Sequence, residues 1–340
     1  MQQSLVVLRD CCFLNKLEEV MKTVLIVTHR RGFEADLVVD ALRKRDIPVF
    51  RLNCDNGKDA SMVSFLFFSD NNNIILSCDN VEVSKNQLGI GWCQQLPPFL
   101  SQTSSVSQCL QNRNIWISCF ASLGLLGLNW LNEPDNVACA SNKITQLTFA
   151  RKVGLNIPST LVSNTPKHIR DFANNNVIVA KNLATPWFVN SKQETIVAYT
   201  KIVDPEWLID DAELYFSPVI YQSFCKRKKD YRVVVVGDRS FAVSCIPKEN
   251  QLEDIRRGVL TGEDFIICDF DQDSLGALKL LMNKLGVDYC AADFMEDELG
   301  KMYFLEMNIC GAWWWVDRLY DGAICKAITD FIEKRLNFSR

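Results

Sequence analysis

Two polar side chains interrupt an apolar strand near the C-terminal end of the sequence. The stretch KMYFLEMN, residues 301–308, places Glu306 and Asn308 two positions apart. Side chains two apart on a strand point to the same face, about 6.6 Å from each other. The segment DYCAADFMEDELG just upstream carries Asp293 and has the pattern of a partner strand. A hairpin would therefore bring three oxygen-bearing side chains to one face.

The register of this hairpin decides whether the three side chains converge. A four-residue turn at residues 298–301 predicts the cross-strand pairs Asp297–Met302, Asp293–Glu306 and Ala291–Asn308. The polar side chains then share one face, and apolar residues, including Leu305, share the other. A register shifted by one residue would instead scatter the cluster over a solvated sheet face.

An Asp and a Glu that face each other across a sheet repel each other unless a cation lies between them. Mg²⁺ is the natural candidate, because it binds one or two carboxylates and leaves its other positions to water and phosphate oxygens. The spacing alone leaves both readings open, a Mg²⁺ site or a solvated face. If a cation does bind there, these residues would support metal-assisted chemistry.

Two lysines add contacts that a phosphate group could use. Lys181 ends the predicted strand NNVIVAK, and Lys143 follows a predicted helix cap at Ser141 or Asn142. Each lysine alone is typical of a solvated strand or helix end. Together with a Mg²⁺ cluster they indicate a nucleoside triphosphate held between two domains.

The elements that carry these residues predict a mixed α/β and α+β chain. Residues 23–53 have the pattern of a βαβ unit, which forms parallel sheet, whereas later β-branched runs and a turn signal at Gly237-Asp238 predict an antiparallel sheet. Residues 70–111 give only weak strand and loop signals. We predict four segments: an N-terminal extension at 1–20, an α/β domain at 21–133, a central lid at 134–220 and a C-terminal catalytic domain at 221–340.

Composition excludes several other classes of protein. The net charge of −4 argues against nucleic acid as a partner, and the 14 cysteines contain no C-x-x-C pair, so they predict reduced thiols in a cytoplasmic protein. Two histidines make a histidine zinc site or a Ser-His-Asp triad hard to assemble. The longest apolar tract, residues 115–131, is interrupted by polar residues and predicts a buried core segment rather than a membrane span. The extension at residues 1–20 does not have the pattern of a signal peptide.

Several phrases occur in the order and spacing found in the ATP-grasp ligases, and the chain resembles that superfamily from Met21 onward. They are ASNK, VIVAK, YQSFC, DYRVVVVGDRSFAV, AADF and YFLEMNICG. NWLNEP and GAWWWVDRLYDGAICKAI further resemble the graspetide-forming, microviridin-type peptide macrocyclases. The resemblance implies an ATP-grasp fold with ATP and Mg²⁺ as cofactors. It also implies a precursor peptide, with leader and core, as partner, and a homodimer.

The resemblance assigns roles to the matching residues. The implied nucleotide site comprises Lys143, Lys181, Gln222, Ser223, Phe224, Cys225 and Asp230, with the backbone of residues 222–225 facing adenine and Asp230 near the ribose. Asp293, Glu306 and Asn308 would hold Mg²⁺. Arg232, with Lys181, would stabilise charge on the transferring phosphoryl group. Asp254 and Arg256 in LEDIRRG would contact the core peptide, although a charged surface turn explains that segment equally well.

The implied reaction activates an Asp or Glu side chain of the peptide as an acyl phosphate. A Ser or Thr hydroxyl, or a Lys amine, then displaces phosphate and closes an ester or amide ring. Two alternatives stay open: a ligase that joins a free amino acid to a peptide or small carboxylate, and an inactive nucleotide-binding protein.

The chain departs from the family pattern at three places, and those at Gln94-Gln95 and at Ser223 keep the inactive reading open. Gln94 and Gln95 stand where the family often has two arginines, and Ser223 stands where a glutamate is common. The segment NLATPWFVNSKQE after Lys181 has no glycine, although many ATP-grasp enzymes cover the phosphates with a glycine-rich loop. Three consecutive tryptophans at residues 313–315 could pack the core or line a peptide groove, and we predict core packing.

Overall fold

The computed structural model of the chain describes residues 22–55, 61–67, 72–94, 106–183, 187–189, 195–256 and 264–337. The predicted extension at residues 1–20 and the family departure at Gln95 lie outside these ranges. Within the described ranges, no helix combines the length and the apolar character that crossing a membrane requires.

The N-terminal part builds a parallel sheet beside a small antiparallel one. Its elements are β1 (Thr23–Thr28), α1 (Phe33–Arg43), β2 (Val49–Asn53), β3 (Met62–Phe67), β4 (Asn72–Cys78), β5 (Val81–Ser84), β6 (Leu88–Cys93), α2 (Val106–Ser122) and β7 (Asn129–Leu131). The parallel sheet has the order β2–β1–β6–β7, as the βαβ pattern predicted, and β3–β4–β5 pair antiparallel. β1 is apolar and buried beyond its first residue, as expected of a parallel strand covered on both faces.

The weak signals across residues 70–111 conceal both strands and the start of a helix. β4, β5 and β6 fall in this region, and α2 begins at Val106 within it. The sequence of α2, VSQCLQNRNIWISCFAS, mixes polar and apolar residues without a broad apolar stripe. Periodicity therefore could not identify it as a helix.

The central part contains helices and a four-stranded antiparallel sheet. Its elements are α3 (Pro134–Ala140), α4 (Lys143–Lys152), β8 (Thr160–Ser163), α5 (Pro166–Asn174), β9 (Ile178–Lys181), β10 (Trp187–Val189), β11 (Thr195–Val197), β12 (Lys201–Ile202), α6 (Asp211–Tyr215) and β13 (Val219–Ser223). The sheet order is β12–β9–β13–β8, and β10 pairs with β11 in a separate hairpin. Asn142 is the cap of α4, because its side chain accepts a hydrogen bond from the Thr145 N–H at 3.0 Å.

The C-terminal part is organised around a five-stranded antiparallel sheet. Its elements are β14 (Arg227–Val236), β15 (Arg239–Cys245), β16 (Ile266–Ile267), α7 (Gln272–Leu285), β17 (Tyr289–Asp297), β18 (Met302–Asn308), α8 (Trp314–Asp317) and α9 (Ala323–Asn337). The sheet order is β16–β15–β14–β17–β18. The predicted turn between β14 and β15 is confirmed, with Gly237 at a φ of 55° that favours glycine. The mixed fold class predicted from the sequence is thus observed.

Alternate side chains of β14 enter two different apolar cores. Val234 is buried with Ile26 of β1 and Ile328 of α9, so the parallel sheet, the antiparallel sheet and the last helix share one core. Val233 points to the other face and packs in a second core with Leu281 of α7. The central strand of the five-stranded sheet is therefore packed on both faces.

Asn132, next to the predicted first domain boundary, ties β7 to the C-terminal hairpin. Its backbone has a φ of 67°, a conformation that Asn tolerates better than most residues, and its side chain is buried. The amide oxygen accepts the N–H groups of Asp288 and Tyr289 at 2.8 and 2.9 Å. The amide nitrogen donates to the carbonyl oxygens of Tyr289 and Ile309 at 2.8 and 3.0 Å. Contacts thus cross this boundary, and the predicted domain limits remain predictions.

Candidate nucleotide and metal site

The hairpin that carries the predicted metal ligands has the expected pairing at its functional end. Asp293 of β17 lies opposite Glu306 of β18, and Ala291 lies opposite Asn308. The turn end was predicted wrongly, because Met302 pairs with Glu296 and not with Asp297. The side chain of Asp297 instead closes a longer turn by accepting the N–H groups of Leu299 and Lys301, each at 2.9 Å.

A β-bulge at Leu305 reconciles the two ends of the hairpin. Phe294 pairs with Phe304, whereas the adjacent Asp293 pairs with Glu306, so Leu305 is an extra residue on β18. The prediction that Leu305 faces away from the polar cluster was wrong, because its side chain lines a cleft together with Lys181. The bulge restores the register that the longer turn would otherwise have shifted.

Each carboxylate of the cluster binds one cationic side chain and directs its second oxygen to a common point. Arg232 Nη1 donates to Asp293 Oδ1 at 2.8 Å, and Lys143 Nζ lies 3.1 Å from Glu306 Oε2. The second oxygens, Asp293 Oδ2 and Glu306 Oε1, each accept a hydrogen bond from Asn308 Nδ2 at 3.4 Å. The three predicted ligands therefore converge, with two cations beside them.

This arrangement fits a Mg²⁺ ion by the chemistry of its donors. Two carboxylate oxygens face one point, and rotation of the Asn308 amide would add a third hard oxygen. Among the described residues no group of three or more His, Cys, Asp or Glu side chains forms a metal site. A cation here would therefore need the Asn308 amide and oxygens from outside the protein, which suits an ion that also binds phosphate.

The two opposed carboxylates differ in their readiness to ionise. Burial raises the pKa of Asp293, and the charge of Glu306 adds to this increase, while Arg232 opposes it. Burial also acts against ionisation of Glu306, but the charges of Lys143 and Lys181 lower its pKa overall. An added cation beside Asp293 would favour its ionised form and so lower this raised pKa.

Gln146 fixes α4 against β18, although Gln146 is not among the site residues predicted from the sequence. Its buried amide donates to the Met307 carbonyl oxygen at 2.6 Å and accepts the Met307 N–H at 2.9 Å, as a neighbouring strand would. Met307 lies between Glu306 and Asn308, and Lys143 lies one turn before Gln146 on α4. The pair of hydrogen bonds therefore sets Lys143 over Glu306. A glutamine on the buried face of a helix was the one available signal.

The predicted adenine-side residues line a cleft beside the metal cluster. Residues 222–225 and Lys181 border an open space of about 270 Å³, which Arg227 and Leu305 also border. Backbone bonds hold this segment in place, since the Ser223 N–H donates to the Ser159 carbonyl at 2.9 Å and the Phe224 N–H to the Val177 carbonyl at 2.7 Å. The structure brings these residues together, and their contact with a nucleotide stays a prediction.

A second cleft is bordered by Glu306 itself. Lys143, Glu306 and Asn308 border about 510 Å³ of space there, together with Gly311. A Cβ added to Gly311 would lie only 2.8 Å from the Cβ atoms of Ala291 and Asn308, so the chain turns there at a point where only glycine fits. Glu306 and Asn308 thus border the second cleft, whereas the neighbouring Leu305 borders the first.

Asp230 does not border either cleft; it binds a residue that does. Its buried carboxylate forms an ion pair with Arg227, which lines the first cleft. Burial raises the pKa of Asp230 to about 6, although the charge of Arg227 opposes the increase. A contact of Asp230 with a ribose stays a prediction, and from this position Asp230 would act through Arg227.

Asp254 and Arg256 form a tight local pair beside the same site. Arg256 donates from its backbone N–H and from Nε to Asp254 Oδ1 at 3.0 and 2.8 Å, and the Thr200 N–H donates to Oδ2 at 2.8 Å. Burial opposes ionisation, but these bonds and the charge of Arg256 lower the pKa of Asp254 to about 2. Asp254 is buried, which does not fit the alternative of a solvated surface turn.

Lys181 is expected to make nucleotide binding depend on pH. Burial and the charges of Arg227 and Lys143 lower the pKa of its ammonium to about 8, against the attraction of Glu306 and Asp254. Bound phosphate would raise that pKa again. The contribution of Lys181 to ADP affinity should therefore be constant below pH 8 and should fall by up to about tenfold per pH unit above it.

Titration calorimetry with ADP and Mg²⁺ at pH values below and above 8 would measure how the affinity for ADP depends on pH. Lys181→Arg is the matched variant, because a guanidinium keeps its charge throughout. We expect the decline above pH 8 to disappear in Lys181→Arg. Profiles that coincide in the two proteins would contradict the assignment of the titration to Lys181.

Two departures from the family pattern have defined partners in the structure. Gln94 is buried, and its Nε2 donates to Glu34 Oε2 at 2.6 Å. Ser223 Oγ donates to Asn176 Oδ1 at 3.3 Å. Gln95 and much of the glycine-free segment, residues 184–186 and 190–194, lie outside the described residues.

The tryptophans after the metal strand divide between core and half-buried positions. Trp313 is fully buried, as predicted. Trp314 packs edge-on against Phe33 at 5.3 Å between ring centroids, and Trp315 tilts over Phe265 at 4.6 Å. Their contacts are therefore with the protein core and with α1.

Comparison with solved structures finds proteins with the same fold along nearly the whole chain. A RiPP-associated ATP-grasp ligase from Chryseobacterium gregarium, in complex with ADP and a leader and core peptide, is 24% identical; the match covers 92% of this chain and 97% of that chain, with a TM-score of 0.79. The macrocyclase MdnB from Microcystis aeruginosa MRC is 27% identical over 92% of this chain and 99% of that chain, with a TM-score of 0.74. The ATP-grasp ligase PsnB, complexed with a phosphomimetic variant of minimal precursor, Mg and ADP, is 17% identical over 92% of this chain and 98% of that chain, with a TM-score of 0.67.

No protein-family model and no curated protein sequence matches the chain. The structural similarity nevertheless shows that the chain has the fold of the ATP-grasp ligases. The predicted resemblance to this superfamily, and to its microviridin-type macrocyclases, is confirmed, and the predicted ligase class is the class of these relatives.

Proposed function

We propose that this protein is an ATP-dependent ligase that modifies a ribosomal precursor peptide. In this proposal it activates Asp or Glu side chains of the peptide as acyl phosphates and joins them to Ser or Thr hydroxyls or to Lys amines. The observation that carries the proposal is the convergence of Asp293, Glu306 and Asn308 beside Lys143 and Arg232, on an ATP-grasp fold.

The residues of the site suit each part of this reaction. Asp293, Glu306 and Asn308 would hold Mg²⁺, which neutralises phosphate charge when it is bound. Lys181 borders the first cleft and Lys143 borders the second beside Glu306, and both lysines would bind phosphate oxygens. Arg232 would stabilise the charge on the transferring phosphoryl group. Catalysis of this kind rests on positioning and on charge neutralisation, which cationic side chains supply.

The acceptor side of the proposal rests on Arg256 and on the relatives. Arg256 is held by Asp254, its guanidinium lies 5.8 Å from the centre of the Tyr199 ring, and its side chain is 42% exposed, so it could still pair with a substrate carboxylate. Among the structures compared, one relative was solved with a leader and core peptide and another with a minimal precursor. These observations favour a peptide substrate over a free amino acid. A homodimer remains a prediction from the resemblance, and a cytoplasmic location remains a prediction from the cysteine pattern.

Mass spectrometry on a defined reaction tests the proposal. The purified protein is incubated with ATP, Mg²⁺ and the peptide encoded by a neighbouring short reading frame rich in Thr, Ser, Asp and Glu. We expect the peptide to lose one water mass for each bond formed. A gain of one amino-acid mass would instead identify the free amino acid ligase, and no change with intact ADP binding would identify the inactive nucleotide-binding protein.

A further inference from the structure

A single peptide group connects α1 to the catalytic cluster. The carbonyl oxygen of Ala312 accepts a hydrogen bond from Arg232 Nη2 at 3.0 Å. The N–H of the same peptide group, which belongs to Trp313, donates to Glu34 Oε1 at 2.8 Å. The other nitrogen of Arg232, Nη1, donates to Asp293 Oδ1 at 2.8 Å. A continuous chain of bonds thus runs from Glu34 to the metal cluster.

Glu34 is built into this position from several sides. It lies in the first turn of α1 and is 2% exposed. Its Oε1 also accepts the Trp314 N–H at 2.8 Å, and its Oε2 accepts Gln94 Nε2 at 2.6 Å. The carboxylate therefore caps the start of α8 from another part of the chain, in the way that an acidic N-cap would. A buried charge with three donors is held in one orientation.

We propose that Glu34 is a positioning residue for Arg232, and the proposal rests on the function assigned above. The Arg232 guanidinium donates hydrogen bonds to Asp293 and to the Ala312 carbonyl. If Asp293 binds a metal ion instead, only the Ala312 carbonyl can fix the orientation of the guanidinium. That carbonyl stays in place because Glu34 holds the other side of its peptide plane. When the N–H of a peptide group donates to a carboxylate, the carbonyl of the same peptide group becomes a better hydrogen-bond acceptor.

The same chain of bonds gives a physical meaning to the family departure at Gln94. An arginine at this position would meet Glu34 as a second charge, whereas the glutamine amide leaves the full charge of Glu34 to the backbone N–H groups of α8. The neutral donor thus orients the carboxylate without neutralising it. Gln94 is a supporting contact of Glu34 in this account.

The test compares two buried carboxylates that do the same local task. Asp317 caps α9 by accepting the N–H groups of Ile324 and Cys325 at 2.7 and 3.1 Å, but it does not contact the Ala312–Trp313 peptide group. Glu34→Ala and Asp317→Ala therefore both remove a buried cap. Only Glu34→Ala removes a hydrogen bond to the Ala312–Trp313 peptide group, whose carbonyl accepts from Arg232.

Two readouts follow Arg232, and the first needs no peptide substrate. The first readout is the exchange rate of the Arg232 guanidinium protons with water, measured by ¹⁵N-arginine NMR of the full chain. The Arg232 signal is assigned by its loss in Arg232→Lys. We expect Glu34→Ala to speed this exchange. The ligation rate should fall about 10- to 100-fold, the range found when a supporting hydrogen bond to a site residue is removed. The KM for ATP should stay nearly constant. Asp317→Ala should change neither readout.

Conservative replacement separates positioning from folding. Glu34→Gln keeps an acceptor for both backbone N–H groups, so it should restore most of the activity and slow exchange again. If Glu34→Ala does not fold, Glu34→Gln still tests the proposal through a smaller increase in Arg232 exchange. Unchanged Arg232 exchange in the Glu34 variants, or an equal loss in Asp317→Ala, would overturn it. If the wild-type protein does not ligate the peptide, the proposed function is contradicted. The NMR measurement still tests the role of Glu34 in that case, because it needs no substrate.

Discussion

Replacing Glu306 by glutamine is expected to lower ligation by about 100-fold or more while leaving the fold intact. The carboxylate offers Oε1 to the point shared with Asp293 and Oε2 to Lys143. A glutamine keeps only one oxygen, and its amide nitrogen must face either the metal point or the Lys143 ammonium. Neither contact supports a cation, so the variant should lose Mg²⁺ affinity as well as rate.

The melting temperature of Glu306→Gln, measured with and without Mg²⁺ and ADP, shows whether Glu306 is a metal ligand or a structural residue. Mg²⁺ with ADP should raise the melting temperature of the wild type, since a ligand that binds only the folded state stabilises it. In Glu306→Gln this increase should disappear. Without Mg²⁺ the melting temperature should change little, because removal of one of two opposed carboxylates also removes their repulsion.

A matched variant exists on the same hairpin. Glu296 lies on β17 and binds Lys228 and the Tyr231 hydroxyl at 2.8 and 2.7 Å, outside the cluster. Glu296→Gln should retain both the activity and the stabilisation by Mg²⁺ and ADP. Full activity in Glu306→Gln, measured by the mass loss of the peptide, would remove Glu306 from the metal site.

Local pattern was sufficient to predict most of the elements that carry the site. The cap at Asn142, the strand that ends at Lys181 and the turn at Gly237 all follow from short-range rules, and the structure contains each of them. The pairing of Asp293 with Glu306 was also predicted. That success depended on two errors that cancel, because the turn is one residue longer and the bulge at Leu305 compensates for it.

The residues that position the site could not be predicted in the same way. Gln146, Asn132 and Glu34 bond to backbone groups that lie more than a hundred positions away in the chain. A backbone N–H or carbonyl has no sequence signature, so only the folded chain reveals which side chain it meets. A buried polar residue is recognisable only after burial is known.

This difference explains why the departures from the family were hard to weigh from sequence. Gln94 lacks the charge of the arginine that the family often has at this position, yet it bonds to a carboxylate that holds Trp313. Ser223 likewise has a partner in Asn176. The described departures thus have defined partners in the structure, and the ligation assay is what tests the reading of an inactive protein.

The second large effect is expected for Arg232→Lys, which keeps the charge and loses the geometry. The guanidinium donates at once to Asp293 Oδ1 and to the Ala312 carbonyl, 2.8 and 3.0 Å away. A lysine ammonium is a point charge on a flexible stem and cannot span both acceptors in a fixed plane. We expect the rate of ligation to fall about 100-fold to 1,000-fold, because a donor aimed at developing charge is lost.

The kinetic pattern would show where Arg232 acts. A residue that stabilises only the transferring phosphoryl group lowers kcat and leaves the KM for ATP nearly unchanged. Arg239→Lys provides the matched control, since Arg239 lies on the adjacent strand β15 and forms an exposed ion pair with Asp330 at 2.8 Å. That variant should keep wild-type kinetics. A rise in KM for ATP with kcat preserved in Arg232→Lys would instead place Arg232 in ground-state nucleotide binding, and the bonds to Asp293 and Ala312 would then serve affinity rather than phosphoryl transfer.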